Sequence, residues 1–253
     1  MLIKLMKLLL LVASISHVTI IWADILADIK QRAEQGDVAA QNDLGTAYVS
    51  GNGVIKDYDQ AQKWFQTAAE KGNPLAEYNL GIMYAHGEGM PIDLGEAAKW
   101  FLKAAKQGDI PAQFNLGLMY VQGDGMPRDY QEAFRWFSKA AGQGHPDAQV
   151  NLGLMYVRGE GVTKNMDEAV KWFRSSAEQG NSVAQYNLGV CYLQGEGVST
   201  DPQEAYKWLA LATSQGDTQA REVLDKLETE LTPAQIAEAQ TRTANLNSTM
   251  TEH

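Results

Sequence analysis

Residues 73–108 read NPLAEYNLGIMYAHGEGMPIDLGEAAKWFLKAAKQG, and the same pattern returns every 36 residues. Trp64, Trp100, Trp136, Trp172 and Trp208 mark it. So do Leu44, Leu80, Leu116, Leu152 and Leu188, each followed by a glycine. Five copies in register mean five copies of one supersecondary unit stacked in a row. Such a stack has a continuous core and no boundary inside it, so chain length does not count its domains.

Within the unit, Asn73 is a good N-cap, and Pro74 falls at the first helical position, where its missing N–H costs nothing. The spacing of Ala76, Leu80, Gly81, Met83 and Tyr84 predicts a first helix, A, running to about His86. A glycine in mid-helix costs roughly 1 kcal/mol against alanine. Its return as Gly45, Gly81, Gly117, Gly153 and Gly189 therefore implies close helix approach. Gly87-Glu88-Gly89 ends helix A, with Gly87 suited to a left-handed position. A phosphate-cradling loop would follow a strand and open into a helix; this pair follows a helix and leads to a turn.

Asp93 with Glu96 predicts a capping box for a second helix, B, in which each side chain satisfies the other's free N–H. The pairs Asp57/Gln60, Asp129/Glu132, Asn165/Glu168 and Asp201/Glu204 repeat it, so caps account for carboxylates that could pass for acid–base pairs. Helix B buries Ala97, Trp100, Phe101, Ala104 and Ala105, the rings filling what the alanines leave open. Lys99 and its equivalents Lys63, Arg135, Lys171 and Lys207 are expected on an outer face, paired with the acid of the capping box. Gly108 stops helix B and Asp109 caps the next helix A.

The fold class expected is all-α: a superhelical solenoid of five helix-turn-helix repeats over 37–217, with capping half-repeats. Residues 24–36 match only helix B, with Ile29 in the phenylalanine column and Asp28 in place of the tryptophan. Residues 218–242 read as capping helices, the last opened by Thr232-Pro233 with Gln235, and 243–253 as a polar, flexible tail. Residues 1–23 lie outside the pattern. Lys4 and Lys7 precede an apolar run, as in a secretory signal peptide, with cleavage expected after Ala23. Ser14, Ser16, His17 and Thr19 break that run short of the ~20 apolar residues a stable span needs. A periplasmic or secreted, monomeric chain is expected; an uncleaved segment would leave it membrane-anchored.

The net charge is −10, and loss of Lys4 and Lys7 with the leader would make it −12. So acidic a surface repels nucleic acid and anionic lipid, and would suit a basic protein partner. Cys191 is the only cysteine and occupies the column of Met83, Met119 and Met155, which makes it a core residue. His17, His86, His145 and His253 are far apart in sequence. No zinc-binding, nucleophile-elbow or other catalytic motif is present, so no catalytic, metal or cofactor residues are assigned.

The unit Asn79-Leu80-Gly81, Tyr84, Gly87, Gly89, Asp93, Ala97, Trp100-Phe101, Ala104-Ala105 and Gly108 resembles the Sel1-like repeat (SLR) family, a relative of the tetratricopeptide repeat. The resemblance covers about residues 25–245. It implies an α/α superhelix that binds proteins and is not an enzyme. Bacterial members of the cell envelope act in signalling, host interaction and, in some cases, immunity against a secreted antibacterial effector. A cysteine-rich branch is linked to penicillin binding; this chain lacks its paired cysteines and any S-x-x-K.

If helix A lines the concave side, as in tetratricopeptide stacks, three columns face inward. One is Asn42, Tyr78, Phe114, Val150 and Tyr186; the next is Thr46, Ile82, Leu118, Leu154 and Val190. The third, Ser50, His86, Gln122, Arg158 and Gln194, is polar and varies between repeats. The first two columns either pack against neighbouring helices or form the apolar floor of a groove for a partner protein or peptide, with the third as its rim.

Overall fold

Each helix of the repeat begins on a side chain that caps it. In the first repeat, α2 (Val38–Ser50) starts at Asp37, whose Oδ1 accepts from the Ala40 N–H at 3.1 Å. It follows α1 (residues 24–34) and leads to α3 (Tyr58–Glu70). The computed structural model describes residues 24–250, with side chains to 244. The expected signal segment, 1–23, and the end of the expected tail, 251–253, lie outside the described residues. Helix A recurs as α4 (Pro74–His86), α6 (Ile110–Gln122), α8 (Pro146–Arg158) and α10 (Ser182–Gln194). Helix B recurs as α5 (Leu94–Lys106), α7 (Tyr130–Gly142), α9 (Met166–Glu178) and α11 (Pro202–Ser214). Two further helices close the chain, α12 (Thr218–Glu230) and α13 (Pro233–Met250). No strand occurs among the described residues, and the architecture is an all-α repeat solenoid.

The chain divides into two compact units: residues up to 112 with 124–126, and 113–123 with 127 onward. In the first, Ala61, Phe65, Ala68, Leu80, Met83 and Trp100 are buried together. In the second, one cluster joins Val150, Val170, Phe173, Leu188 and Trp208, and another joins Tyr206, Leu209, Leu224 and Leu227. The mid-helix glycines are where A and B of one repeat meet. A Cβ at Gly81 would lie 2.5 Å from the Phe101 ring, and one at Gly117 would lie 2.6 Å from the Phe137 ring. Real carbon contacts do not close to that distance, so each phenylalanine lies on bare backbone.

The capping box differs from expectation in one arm. Asp93 Oδ1 accepts from the Glu96 N–H at 2.9 Å, but the Asp93 N–H donates to the Tyr84 carbonyl, also at 2.9 Å. The same replacement is made at Asp57, Asp129, Asn165 and Asp201, each bonding the equivalent tyrosine carbonyl. The turn folds back onto helix A and satisfies that N–H first. Glu96 is released to pair with Lys99, as Glu132 does with Arg135, Glu168 with Lys171 and Glu204 with Lys207. A full reciprocal box appears at α13, where the Thr232 N–H donates to Gln235 Oε1 at 2.9 Å and the Gln235 N–H to Thr232 Oγ1 at 3.4 Å.

The helix α13 continues to Met250, through residues expected as tail. Nothing between Thr241 and Met250 is proline or glycine, and the Thr241 and Thr243 hydroxyls bond back to the carbonyls of Ala237 and Ala239. Cys191 is buried, and burial pushes its thiol up to about 11, which leaves it protonated and inert at neutral pH.

Candidate functional site

Helix A carries little charge. In α2, α4, α6, α8 and α10 the only Asp, Glu, Lys or Arg residues are Asp43, Glu77, Asp147 and Arg158, with His86 in the last turn of α4. The remaining charge of the repeats lies on helix B and in the turns, so within each unit the three helix-A columns carry little charge.

In the first unit, Tyr78 is half-buried with its ring 5.7 Å from that of Phe101. Ile82 is half-buried and lines a cavity of about 70 Å³, and His86 is exposed in the last turn of α4. In the second unit, Phe114 is half-buried, stacked on His145 at 4.6 Å and tilted against Phe137 at 5.9 Å. Val150 is buried in the core cluster, and Leu154 packs against the same cluster. Tyr186 packs against the cluster around Leu209, while Leu118 and Val190 are half-buried. Gln122, Arg158 and Gln194 are exposed, and Arg158 lies 3.7 Å from Glu160. The first two columns thus divide between core and surface, whereas every member of the third reaches solvent. Among the described residues no three histidine, cysteine or carboxylate side chains gather as a metal site.

Comparison with known proteins fits this geometry. The Sel1 repeat model matches residues 38–73, 74–109, 110–145, 146–181 and 182–217. The chain belongs to the Sel1 repeat family. No curated protein matches it. Among solved structures, it is similar to a protective antigen of uropathogenic Escherichia coli strains displaying an SLR fold, with 38% identity and a TM-score of 0.78. That match covers 86% of this chain and 48% of the antigen, so the chain spans about half the antigen's length. It is also similar to a Sel1 repeat protein from Oxalobacter formigenes, 34% identical with a TM-score of 0.74, over 80% of this chain and 81% of that one. An immunity protein from Pseudomonas aeruginosa is 24% identical over 76% of this chain and 74% of its own, with a TM-score of 0.46, too distant to bear on function. Sel1 repeat proteins are protein-interaction scaffolds and are typically non-catalytic. Among the described residues no helix is long and apolar enough to cross a membrane.

Two features of these Sel1 repeats escaped the sequence reading. One is a buried polar ladder: Gln41, Glu77, Gln113, Gln149 and Gln185 are each 4% exposed or less. Each accepts from the residue thirty positions on: Lys71, Gln107, Gln143, Gln179 and Gln215. Gln41, Gln149 and Gln185 also donate to the carbonyls of Ala33, Ala141 and Ala177. Glu77 is the exception; a carboxyl group has no amide N–H to offer the equivalent Ala69 carbonyl. Burial raises its pKa against the opposing pull of Gln107 and Lys103. The second feature is the middle residue of the glycine turn, Asn52, Glu88, Asp124, Glu160 or Glu196. Four acids there stand beside a helix C-terminus, where the dipole disfavours them. The 36-residue recurrence of both sets was legible, but neither is apolar, so apolar periodicity does not mark them.

Proposed function

We propose that this chain is a non-enzymatic scaffold of the bacterial cell envelope that holds a partner protein or peptide against the face made by its A helices. The observation that carries this reading is the third column. Within a frame whose recurring positions are set by packing and capping, Ser50, His86, Gln122, Arg158 and Gln194 put four residue types at one repeat position, and all are exposed. Packing does not dictate these side chains, so contact with a partner is free to do so. The half-buried members of the first two columns, Tyr78, Ile82, Phe114, Leu118, Leu154, Tyr186 and Val190, supply apolar area beside them. Val150 contributes through the core beneath.

The test is a triple reversal at exposed positions, Gln122→Glu, Arg158→Glu and Gln194→Glu, followed by capture of partners from native envelope extract. The expected result is loss of the principal partner with an unchanged melting temperature. Unchanged capture would place the interface on another surface.

A further inference from the structure

The first unit holds two cavities that are the same site in consecutive repeats. The larger, about 140 Å³, includes Ile29, Asp43, Thr46, Ala47 and Asn52 in its wall. The smaller, about 70 Å³, includes Phe65, Asn79, Ile82, Met83 and Glu88. Each residue of the second set lies 36 positions after its counterpart in the first. Thr46 also lines the second cavity and so forms the ridge between them. The difference in volume follows from the side chains: Ala47 stands where Met83 fills the later repeat, and Ile29 where Phe65 does.

Each pit is mostly apolar with one carboxylate. In the first it is Asp43, in a column otherwise of asparagines, Asn79, Asn115, Asn151 and Asn187. In the second it is Glu88, where the first repeat has Asn52. Neither acid is demanded by packing, because the same backbone position accepts asparagine one repeat away. No cationic side chain lines either pit. Lys56, which interacts electrostatically with Glu88, is itself held over the Tyr58 ring at 4.5 Å.

An apolar wall and a carboxylate at one pit are matched together by a side chain with an aliphatic stem and a cationic tip. We propose that the two pits receive two lysine or arginine side chains, three residues apart, on an extended polyproline-like segment of a partner protein. The spacing follows from the repeat. Helices α2 and α4 touch where Asn79 Nδ2 donates to Asn42 Oδ1 at 3.0 Å, and helices in contact stand about 8–10 Å apart. Polyproline II has three residues per turn and rises about 3.1 Å per residue, so residues i and i+3 point the same way about 9 Å apart. Same-face residues of a β-strand, at about 7 or 13 Å, do not match. The inference rests on the reading of the A-helix face as a protein-binding surface and names its ligand in the first unit.

The test uses fluorescence anisotropy of the full chain with a labelled peptide containing Lys-Pro-Pro-Lys. Controls carry Gln-Pro-Pro-Gln, Leu-Pro-Pro-Leu and Lys-Pro-Lys. Asp43→Asn and Glu88→Asn each introduce the residue the same backbone holds in a neighbouring repeat, so folding is preserved. Each should weaken the lysine peptide about two- to fivefold, and the pair tenfold or more. The glutamine control and the shorter spacing should bind more weakly than the probe, and rising salt should reduce its binding. The proposal is overturned if Leu-Pro-Pro-Leu binds as well, if the double variant binds unchanged, or if millimolar probe shows no binding. Loss of envelope capture by the triple reversal, with no effect of Asp43→Asn/Glu88→Asn on probe or capture, would sink this inference and leave the proposed function standing. Capture unaffected by either set would remove both.

Discussion

The first and fourth repeats share a backbone plan and differ in how the plan is filled. At residues 146–181 the A helix presents Leu154 and Met155, packed on or within the core, and Glu168 pairs with Lys171. At residues 38–73 the corresponding positions are Thr46, Ala47 and Gln60 with Lys63. Both have a side-chain N-cap on each helix, Asp37 and Asp57 in one and His145 and Asn165 in the other, with the same turn glycines and the same Phe-on-Gly contact. The frame tolerates small and polar residues on the A face because it is secured elsewhere, by the glycine–phenylalanine contact and by the N-caps. The loosened first repeat leaves a pit of about 140 Å³, and in the second repeat, where Met83 replaces the alanine, the counterpart narrows to about 70 Å³.

The most damaging way to break the comparison is to attack the frame. Trp136, 6% exposed and covered by Lys139 Nζ at 4.0 Å from its ring, is expected to cost about 3–5 kcal/mol as Trp136→Ala, because the emptied volume cannot be refilled by neighbouring alanines. Urea unfolding would measure it, and a loss below ~1 kcal/mol would show that the frame does not rest on this ring. A smaller effect should come from making the first repeat resemble the fourth. Ala47→Met should raise stability by about 1–2 kcal/mol through new apolar burial, and abolish binding of the lysine peptide. Destabilisation would mean that the pit cannot accept the side chain its counterpart Met155 already buries.

The subtlest comparison is between Glu77 and its glutamine equivalents. Its folded-state pKa is raised by burial, so the folded chain binds the proton more tightly than the unfolded chain. The stability linked to that proton is fully present below the ordinary carboxylate range and is lost as pH rises through the raised value. Glu77→Gln removes this loss and adds a side-chain N–H for the Ala69 carbonyl beside the backbone N–H of Gly72 that it already accepts. The melting temperature of the variant should match the wild type at acid pH and exceed it increasingly toward neutrality. Parallel curves across pH 4–8 would show that the carboxylate is not protonated preferentially in the fold.

Much of the architecture was legible because the repeat states it five times. Helix A of the second repeat ends at His86, and the Lys99–Glu96 pairing holds at Arg135, Lys171 and Lys207. It does not extend to Lys63, which has Gln60 in place of the acid, and Lys207 is covered beside Trp208 and not on the outer face expected of it. The reciprocal arm of the capping box was not legible, since Glu96 at three residues from Asp93 fits it locally; only the return of the turn onto Tyr84 gives that N–H a different acceptor. The candidate site was half legible. Its exposed column could be read from residues that vary where others recur. Whether Val150, Leu154 and Tyr186 were floor or core could not, because an apolar side chain at helical spacing serves either purpose until a neighbouring helix is placed beside it.

The sequence alone determined the unit, its register and its helix ends, because capping, helix propensity and apolar spacing act over a few residues and are repeated without a slip. The tertiary structure decided which of those apolar positions is covered, where buried glutamines and one glutamate find partners thirty residues away, and that Ala47 leaves more room than Met83 does. Those outcomes depend on contacts between residues distant along the chain, and such contacts become definite only when the helices are packed together.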